Sequence, residues 1–156
     1  MSDNITTITP ADEAEIKLII RRYSEHLDGR EFAKLADAYT ETGSLVNSFE
    51  EYIPGGDAFT GTLASGADAV ATAVGNLMGP LDATQHLLGA IIIDATEEGA
   101  RTQTQVLAQH HRAGGFYDVG GTYIDSFVRT DKGWRIEVRE LHTLWSKGEP
   151  SVVTGD

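Results

Sequence analysis

Cysteine is absent from this 156-residue chain, and basic residues are scarce in it. Without cysteine the chain can form no disulfide, thiolate nucleophile or cysteine-built zinc site. Asp and Glu number 24 against 12 Lys and Arg, which gives a formal net charge of −12. Such a charge repels the phosphates of nucleic acids and anionic membrane surfaces. We therefore expect neither a nucleic acid nor a membrane among its partners.

Long hydrophobic runs are also missing. The longest apolar stretch, Leu87–Ile93, is far shorter than the roughly 18–20 residues that span a bilayer. The polar start, Met1–Asn4, lacks the basic and apolar regions of a secretory signal, so a cytoplasmic location is expected. Chain length and a hydrophobic content of 40% predict one globular domain over residues 1–156, with a core over about 11–146 and short flexible tails.

A capping pattern and an apolar stripe predict the first helix. In Thr9-Pro10-Ala11-Asp12 the threonine can cap, the proline suits the first turn and the aspartate holds the capping-box position. An apolar stripe at helical spacing follows, and Gly29 is a plausible stop. The stripe consists of Ile16, Ile19, Ile20, Tyr23 and Leu27. Asp28 falls at the edge of this stripe rather than opposite it.

Two more helices are predicted before the pattern changes to strands. A short helix from about Arg30 to Tyr39 leads into a short strand, Gly43–Asn47. The aperiodic segment from Ser48 to Ser65 indicates a long functional loop or lid. A second capping pattern at Ser65–Asp68 begins a third helix, which ends near Gly79.

The second half of the chain consists of strands separated by turn residues. The predicted strands are Thr84–Ala95, Ala100–Arg112, Phe116–Thr130 with a bulge at Gly120-Gly121, and Trp134–Trp145. Strands joined by tight turns pair antiparallel. The sequence therefore predicts an α+β fold with three N-terminal helices packed on one face of a curved sheet. The tail after Lys147 is predicted to fray.

His86 is the most informative of the five histidines. Its strand is apolar on both faces, which predicts burial on both, and a buried imidazole needs a partner. One interpretation is a core histidine satisfied by a backbone carbonyl. The other pairs it with a carboxylate at the mouth of an apolar cavity, where the acid fixes the tautomer of a general base. Asp28 is the best carboxylate available, although it could also be a solvated helix-end residue.

Two neighbouring strands supply other polar candidates. His110 and His111 are adjacent on a strand, so their side chains point to opposite faces and cannot bind one metal ion together. Alternate residues of a strand share a face, so His110 lies on the same face as Val106 and Ala108 and is predicted to point inward. Tyr123, Asp125 and Phe127 share a face, and the Tyr123 hydroxyl could polarise a carbonyl. Either His110 or Tyr123 could instead belong to the core or the surface.

Motifs that bind cofactors or metals are not found. The chain has neither a phosphate-binding glycine loop followed by lysine nor a dinucleotide fingerprint, and it lacks a Gly-x-Ser-x-Gly elbow. Its acids are scattered over helix starts and turns, which is typical of solvated faces rather than of a metal cage. A site with no cofactor and no metal is therefore the simplest interpretation if the chain is an enzyme.

Several motifs together resemble a known family. They are Tyr23-x4-Asp28, Thr84-Gln85-His86-x2-Gly89, and Gly121–Thr130 followed by Gly133–Ile136. In this order and spacing they resemble the SnoaL-like branch of the nuclear-transport-factor-two-like superfamily, over about residues 11–145. The resemblance implies a cone-shaped, strongly curved, mostly antiparallel sheet wrapped by three helices around a deep apolar pocket.

The resemblance also implies roles for individual residues. Scytalone dehydratase, bile-acid dehydratase and hexachlorocyclohexane dehydrochlorinase are lyases of this branch that need no cofactor and use a His-Asp dyad. The dyad falls on His86 and Asp28, the tyrosine of the bile-acid enzyme on Tyr23, and a second pocket histidine of scytalone dehydratase on His110. Two tyrosines of scytalone dehydratase have no counterpart here, because Leu27 and, approximately, Asn47 stand in their places.

The resulting hypothesis is a dehydratase-like lyase acting on a small hydrophobic cyclic or polycyclic molecule. His86 would be the base, Asp28 its support, and Tyr23, with Tyr123 or His110, would donate hydrogen bonds to developing oxyanion charge. The residues expected to contact substrate are His110, Tyr123, Asn47, Phe127 and Leu88, in a pocket also lined by Phe32, Leu35, Val70, Leu77 and Val106.

Other functions of the same fold stay open. The dyad would equally serve a polyketide cyclase or an isomerase. A ligand-binding or scaffolding module, as in dioxygenase small subunits, is an alternative from another class, although a scaffold does not need the complete Tyr23, Asp28 and His86 set. By resemblance, a homodimer or homotrimer through the outer face of the sheet is expected.

Overall fold

Three helices, one 3₁₀ helix and a six-stranded sheet make up the computed structural model, which describes residues 7–48 and 61–155. The helices are α1 (Pro10–Asp28), α2 (Ala67–Met78) and α3 (Ser151–Thr154), and the 3₁₀ helix covers Phe32–Ala38. The strands are β1 (Tyr39–Ser48), β2 (Gly61–Ser65), β3 (Ala83–Ala95), β4 (Gly99–Arg112), β5 (Gly115–Thr130) and β6 (Gly133–Gly148).

The strands form one curved open sheet in the order β2-β1-β6-β5-β4-β3. Neighbouring strands are antiparallel except β1 and β6, which run parallel. The predicted meander from β3 to β6 is confirmed. The β5–β6 register does shift between Gly120 and Gly121, but the extra residue is Leu144 on β6, not one of the two glycines on β5. The α+β class is confirmed.

The start of α1 is fixed by the predicted capping box. The Thr9 hydroxyl accepts from the Asp12 amide, and the Asp12 carboxylate accepts from the Thr9 amide at 2.9 Å. The same carboxylate receives both Arg129 amino groups, at 2.9 and 2.8 Å, and the Trp134 indole N–H at 3.0 Å. Since Arg129 lies on β5 and Trp134 on β6, one carboxylate fastens the helix to two strands.

The apolar face of α1 forms one side of the core. Ile16, Ile20, Tyr23 and Leu27 of the predicted stripe are buried against the inner face of the sheet. Asp28 follows directly on this face, as the helical phase predicts, and ends the helix.

Four local predictions are corrected. The second helix is a 3₁₀ helix over Phe32–Ala38, and Arg30, at a left-handed φ of 62°, lies in the break that separates it from α1. The strand predicted from Gly43 begins earlier, at Tyr39. Ser65 does not cap α2; the helix follows Gly66, at φ 96°, without a side-chain cap. Of the predicted lid, residues 49–60 lie outside the described part, and Gly61–Ser65 forms β2.

Burial of β3 on both faces is also corrected. β3 pairs only with β4 at the edge of the sheet, and the side chains on its outer face are exposed. Leu87 and Ile92 on that face are 49% and 56% exposed. His86 and the other inward side chains of β3 face α1 and the core, and His86 is buried.

The C-terminal tail does not fray at Lys147. β6 continues to Gly148, and α3 follows it. Val152 of α3 is buried in a small cluster with Leu81, Ala108, Tyr117 and Val119. Two consecutive valines in an otherwise polar tail give it an apolar side to bury. Within the described residues no helix combines the length and hydropathy needed to cross a membrane.

Replacement of Asp12 by asparagine is expected to lower the thermal unfolding midpoint at neutral pH. The hydrogen bonds from Arg129, Thr9 and Trp134 hold the pKa of Asp12 well below its ordinary value, so the folded state favours the ionised carboxylate. This stability is present above the unfolded-state pKa and is lost as pH falls below about 4 toward the depressed folded-state pKa. The midpoints of wild type and Asp12→Asn should therefore converge in acid.

The matched control is Asp131→Asn, in the exposed turn before Gly133. Calorimetry or circular dichroism across the acid range measures both variants. If the difference in unfolding midpoint between wild type and Asp12→Asn stayed constant down to strong acid, the ionised Asp12 carboxylate would not be the source of the stability.

Candidate active site

An interior cavity of about 120 Å³ lies between the helices and the inner face of the sheet. Most of its wall is apolar, and the C-terminal segment contributes Pro150, which precedes α3, and Val153 and Thr154 of α3. The polar or aromatic lining residues are Tyr23, Asn47, His86, His110, Tyr117, Tyr123 and Arg139. The apolar lining residues are Leu27, Leu45, Leu63, Val74, Leu77, Met78, Val106, Ala108, Val119 and Leu141.

Asp28 and His86 meet at one wall of this cavity. His86 Nδ1 lies 2.7 Å from Asp28 Oδ1, and the His86 amide donates to Oδ2 at 2.8 Å. The Thr84 hydroxyl donates to Oδ1 at 2.9 Å. Because the first residue ends α1 and the other two lie on β3, the helix end and the strand parity together place these groups in contact.

The three donors determine the protonation of the pair. Although partial burial works to raise the pKa of Asp28, the hydrogen bonds from His86 and Thr84 hold it below the ordinary value. An ionised carboxylate only accepts hydrogen bonds, so the proton on the neutral imidazole sits on Nδ1. Nε2 then carries a lone pair, and within the described residues it has no hydrogen-bond partner.

His86 separates two environments. Its ring lines the interior cavity, whereas Asp28 lies in a shallow outer groove between α1 and β3. The His86 side chain is 4% exposed and that of Asp28 is 25% exposed. The acid is therefore partly hydrated while the imidazole faces an apolar interior.

His110 lies beside His86, with the rings perpendicular and their centroids 5.8 Å apart. Its Nδ1 donates to the Tyr117 carbonyl at 2.8 Å. Burial lowers the pKa of His110 below its ordinary value despite this hydrogen bond. A neutral His110 with Nδ1–H engaged offers only a lone pair at Nε2. The expectation that it donates to an oxyanion is therefore wrong for this tautomer.

A buried ion pair that the sequence analysis missed lies at another part of the cavity. Arg139 donates to both carboxylate oxygens of Asp125 at 2.8 Å, and both side chains are fully buried. The guanidinium lies between the rings of Tyr23 and Tyr123, with its carbon 4.5 and 4.2 Å from their centroids. Its Nη1 has neither solvent contact nor a hydrogen-bond partner within the described residues.

The inward parity of Asp125 was the signal for this pair, because a buried carboxylate needs a cation or several donors. Burial alone would lower the pKa of Arg139, but the Asp125 carboxylate raises it above the usual value. Burial also raises the pKa values of Tyr23 and Tyr123, so both keep their hydroxyl protons at neutral pH.

Other predicted contact residues divide into two groups. Asn47 lines the cavity, and its side chain has no hydrogen-bond partner within the described residues. Leu77 and Val106 line it as expected. Phe127 and Leu88 do not: Phe127 belongs to the core beside Trp134, and Leu88 borders the outer groove, because β3 and β5 extend past the cavity. Phe32, Leu35 and Val70 are core residues as well.

Within residues 7–48 and 61–155 no three His, Asp or Glu side chains come together closely enough to hold a metal ion. The wall of the cavity therefore carries an imidazole with an acid behind it, a second imidazole beside it, and phenol and guanidinium groups elsewhere on the wall.

Comparison with known proteins gives a family and a set of similar structures. The model of the SnoaL-like domain family matches residues 9–140. No curated protein sequence matches the chain.

Among solved structures, a proposed scytalone dehydratase from Novosphingobium aromaticivorans DSM 12444 is 26% identical, with 89% of this chain and 88% of that chain covered and a TM-score of 0.72. The protein Kfla4162 from Kribbella flavida is 20% identical over 94% and 98% of the two chains, with a TM-score of 0.75. LinA is 14% identical over 90% of each chain, with a TM-score of 0.74. The last two show the fold alone.

Removal of the Thr84 hydroxyl is expected to raise the pKa of Asp28 toward its ordinary value, because Oδ1 loses one of its donors. Thr84→Val makes this change, and Thr84→Ser restores the hydroxyl as the control. Carbon-detected NMR titration of the Asp28 carboxyl group measures the shift. An identical titration curve in the valine variant would show that Thr84 does not stabilise the ionised acid.

Proposed function

The chain belongs to the SnoaL-like domain family, and we propose that it acts as a dehydratase-type lyase on a small hydrophobic cyclic molecule. One observation carries this proposal: the Asp28-oriented His86 has an unpartnered Nε2 at the wall of an apolar cavity. A general base needs this combination of fixed tautomer, free lone pair and restricted water. The similarity to a proposed scytalone dehydratase, at 26% identity, supports the same reaction class.

The first step is removal of a proton from carbon. Nε2 of His86 takes the proton from the carbon next to a carbonyl, and the electron pair of that C–H bond forms an enolate. Asp28 stabilises the imidazolium through the hydrogen bond at Nδ1. A positioned base of this kind contributes about 10²–10⁴ in rate.

The second step expels the leaving group. The enolate pair forms a carbon–carbon double bond as the bond to a β-hydroxyl breaks, and the imidazolium returns its proton to the departing oxygen. The products are an unsaturated carbonyl compound, water and neutral His86, so no external acid, oxidant or metal takes part. If the imidazolium instead returned its proton to another carbon of the enolate, the reaction would be an isomerisation. That reaction shares only the first step.

Negative charge on the carbonyl oxygen needs hydrogen-bond donors. Tyr23 and Tyr123 keep their protons at neutral pH and line the cavity, and the guanidinium of Arg139 lies between their rings. In this proposal the two phenols donate to the enolate oxygen, and the adjacent guanidinium makes them better donors. His110 accepts rather than donates, and so contacts the substrate hydroxyl.

Proton removal can be measured without the natural substrate, by NMR of deuterium uptake next to the carbonyl of cyclohexanone in D₂O. The wild-type protein should accelerate this exchange, and His86→Gln and Asp28→Asn should each reduce the acceleration about 10²–10⁴-fold. Retention of most of the exchange rate by His86→Gln would exclude His86 as the base.

His142→Gln is the matched control, because His142 pairs with Glu140 at 2.7 Å on the outer face of the sheet and does not line the cavity. Its exchange rate should equal that of wild type. Circular dichroism and thermal unfolding of all three variants show whether a lost rate reflects lost structure.

A second copy of the chain is the proposed partner of the outer face of the sheet. Strand pairing aligns Leu87, Leu107, Gly120 and Trp145 in one row across β3 to β6, and the indole of Trp145 lies over Gly120. Leu87 and Trp145 are about half exposed, at 49% and 46%. Two copies of a chain with a net charge of −12 repel each other. An apolar row brings few charges together, so the two copies can approach most closely there.

Disruption of this row should dissociate the assembly. Leu107→Glu places a charge at its centre, and light scattering after size exclusion is expected to change from the mass of a dimer or trimer to that of a monomer. Leu18→Glu is the control, because Leu18 is 47% exposed but lies on α1. A monomeric wild-type protein would overturn the proposed self-association.

A further inference from the structure

The mouth of the cavity lies where its lining residues also contact solvent. Most lining residues are buried, and those that are only partly buried come from a few places in the fold. They are Leu63 of β2, Leu77 and Met78 at the end of α2, Leu141 of β6, and Pro150, Val153 and Thr154 in residues 149–155. We call residues 149–155, which include α3, the strap.

The strap covers the gap between α2 and the sheet. Its buried residue, Val152, packs in one cluster with Leu81, which follows α2, and with Tyr117 of β5. Tyr117 pairs with His110 across β5 and β4. Displacement of the strap would therefore uncover the part of the cavity that holds His110.

Few interactions hold the strap in this position. One backbone hydrogen bond joins it to the rest of the described chain, from the Glu149 amide to the Phe116 carbonyl at 3.0 Å. No side-chain hydrogen bond or ion pair links it to any other described residue. Val152 is its only buried side chain. Segments with so few attachments open locally at a lower free-energy cost than the core.

Gly148 gives the strap a hinge. Its φ of 98° is one that residues with a side chain rarely adopt. A Cβ on Gly148 would lie 2.2 Å from the Phe116 carbonyl oxygen, so the turn out of β6 requires glycine. Because glycine has no side chain, rotation here meets little steric resistance. The strap can move as a unit, since its own hydrogen bonds, such as that from the Gly155 amide to the Ser151 carbonyl at 2.8 Å, keep α3 folded.

We propose that the strap is the gate of the cavity, and that small uncharged molecules reach His110 and His86 when it turns outward about Gly148. The gate goes beyond the lyase function, because a protein that only bound a ligand in this cavity would need it as well. In the closed position the strap keeps bulk water from the imidazoles, and in the open position it admits the ligand.

An engineered disulfide can lock the strap in the closed position. An ideal Cβ on Gly115 would lie 3.1 Å from Cγ2 of Val152. In a disulfide the Cβ atom of one cysteine lies about 3 Å from the sulfur of the other, because the S–S bond is about 2.05 Å long. The double variant Gly115→Cys, Val152→Cys can therefore form this bond. Since the chain has no cysteine of its own, no other disulfide can form within it.

Diethyl pyrocarbonate measures access to the cavity without a ligand. It is a small uncharged reagent that acylates the lone-pair nitrogen of a neutral imidazole, and His110 offers this nitrogen at Nε2. Tandem mass spectrometry gives the rate of modification at each histidine. His26 and His111 do not line the cavity and serve as internal references.

The disulfide should slow the modification of His110 at least about tenfold relative to wild type, because the rate follows the population of the open state. His26 and His111 should react at unchanged rates. If His110 in the cross-linked protein reacted as fast as in wild type, the strap would not be the gate.

The matched control is the double variant Gly115→Ser, Val152→Ser, which has nearly the same size but cannot cross-link. Serine also removes the apolar anchor of the strap, so His110 should react about tenfold faster than in wild type. Circular dichroism shows whether both double variants are folded. An unchanged His110 rate in the folded serine variant would also overturn the proposal, because molecules would then enter elsewhere along the mouth.

Labelling needs no catalysis, so the gate and the lyase function can fail separately. Slower labelling of His110 in the cross-linked form of a protein that does not exchange cyclohexanone protons would support the gate and reject the lyase function. Exchange of cyclohexanone protons that persists in the cross-linked protein would support the lyase function and reject the gate.

Discussion

The contact between the end of α1 and the edge strand β3 is the interaction on which the candidate site depends. The Asp28 carboxylate accepts hydrogen bonds from the Thr84 hydroxyl, the His86 amide and the His86 ring, all between 2.7 and 2.9 Å. These hydrogen bonds hold the end of the helix against the strand. They also fix the rotamer of Asp28 and the tautomer of the His86 imidazole. Loss of the contact would change the wall of the cavity as well as the base.

Asp28 and His86 could be predicted as neighbours because each position follows from a local rule. The helical phase places Asp28 at the edge of a buried stripe, and strand parity places His86 inward, without any knowledge of distant contacts. Neither rule depends on where β3 lies in the sheet. Whether the outer face of a strand is covered depends on packing against distant segments, and β3 accordingly has one buried face where its apolar sequence predicts two.

Arg139 shows why the rest of the site could not be predicted. Trp134 and Ile136 are buried on β6, and simple alternation from them would point Arg139 outward. The β5–β6 register shifts between Ser126 and Phe127, where Glu137 is the extra residue on β6, and this reverses the parity of the residues that follow. A bulge of this kind leaves no clear mark in a single sequence. The tautomer of His110 was missed for a related reason, since its acceptor is a backbone carbonyl on β5.

The hydrogen bond from the His86 amide to Asp28 has a second consequence, because that amide lies on the unpaired side of an edge strand. Free amides along such an edge are the points at which another polypeptide can add as an extra strand and begin to aggregate. The carboxylate at position 28 blocks one of these points. A related protein without catalytic activity would still benefit from an acid at this position, because the acid protects the strand edge from aggregation. An acid at the end of α1 is therefore by itself no sign of an enzyme.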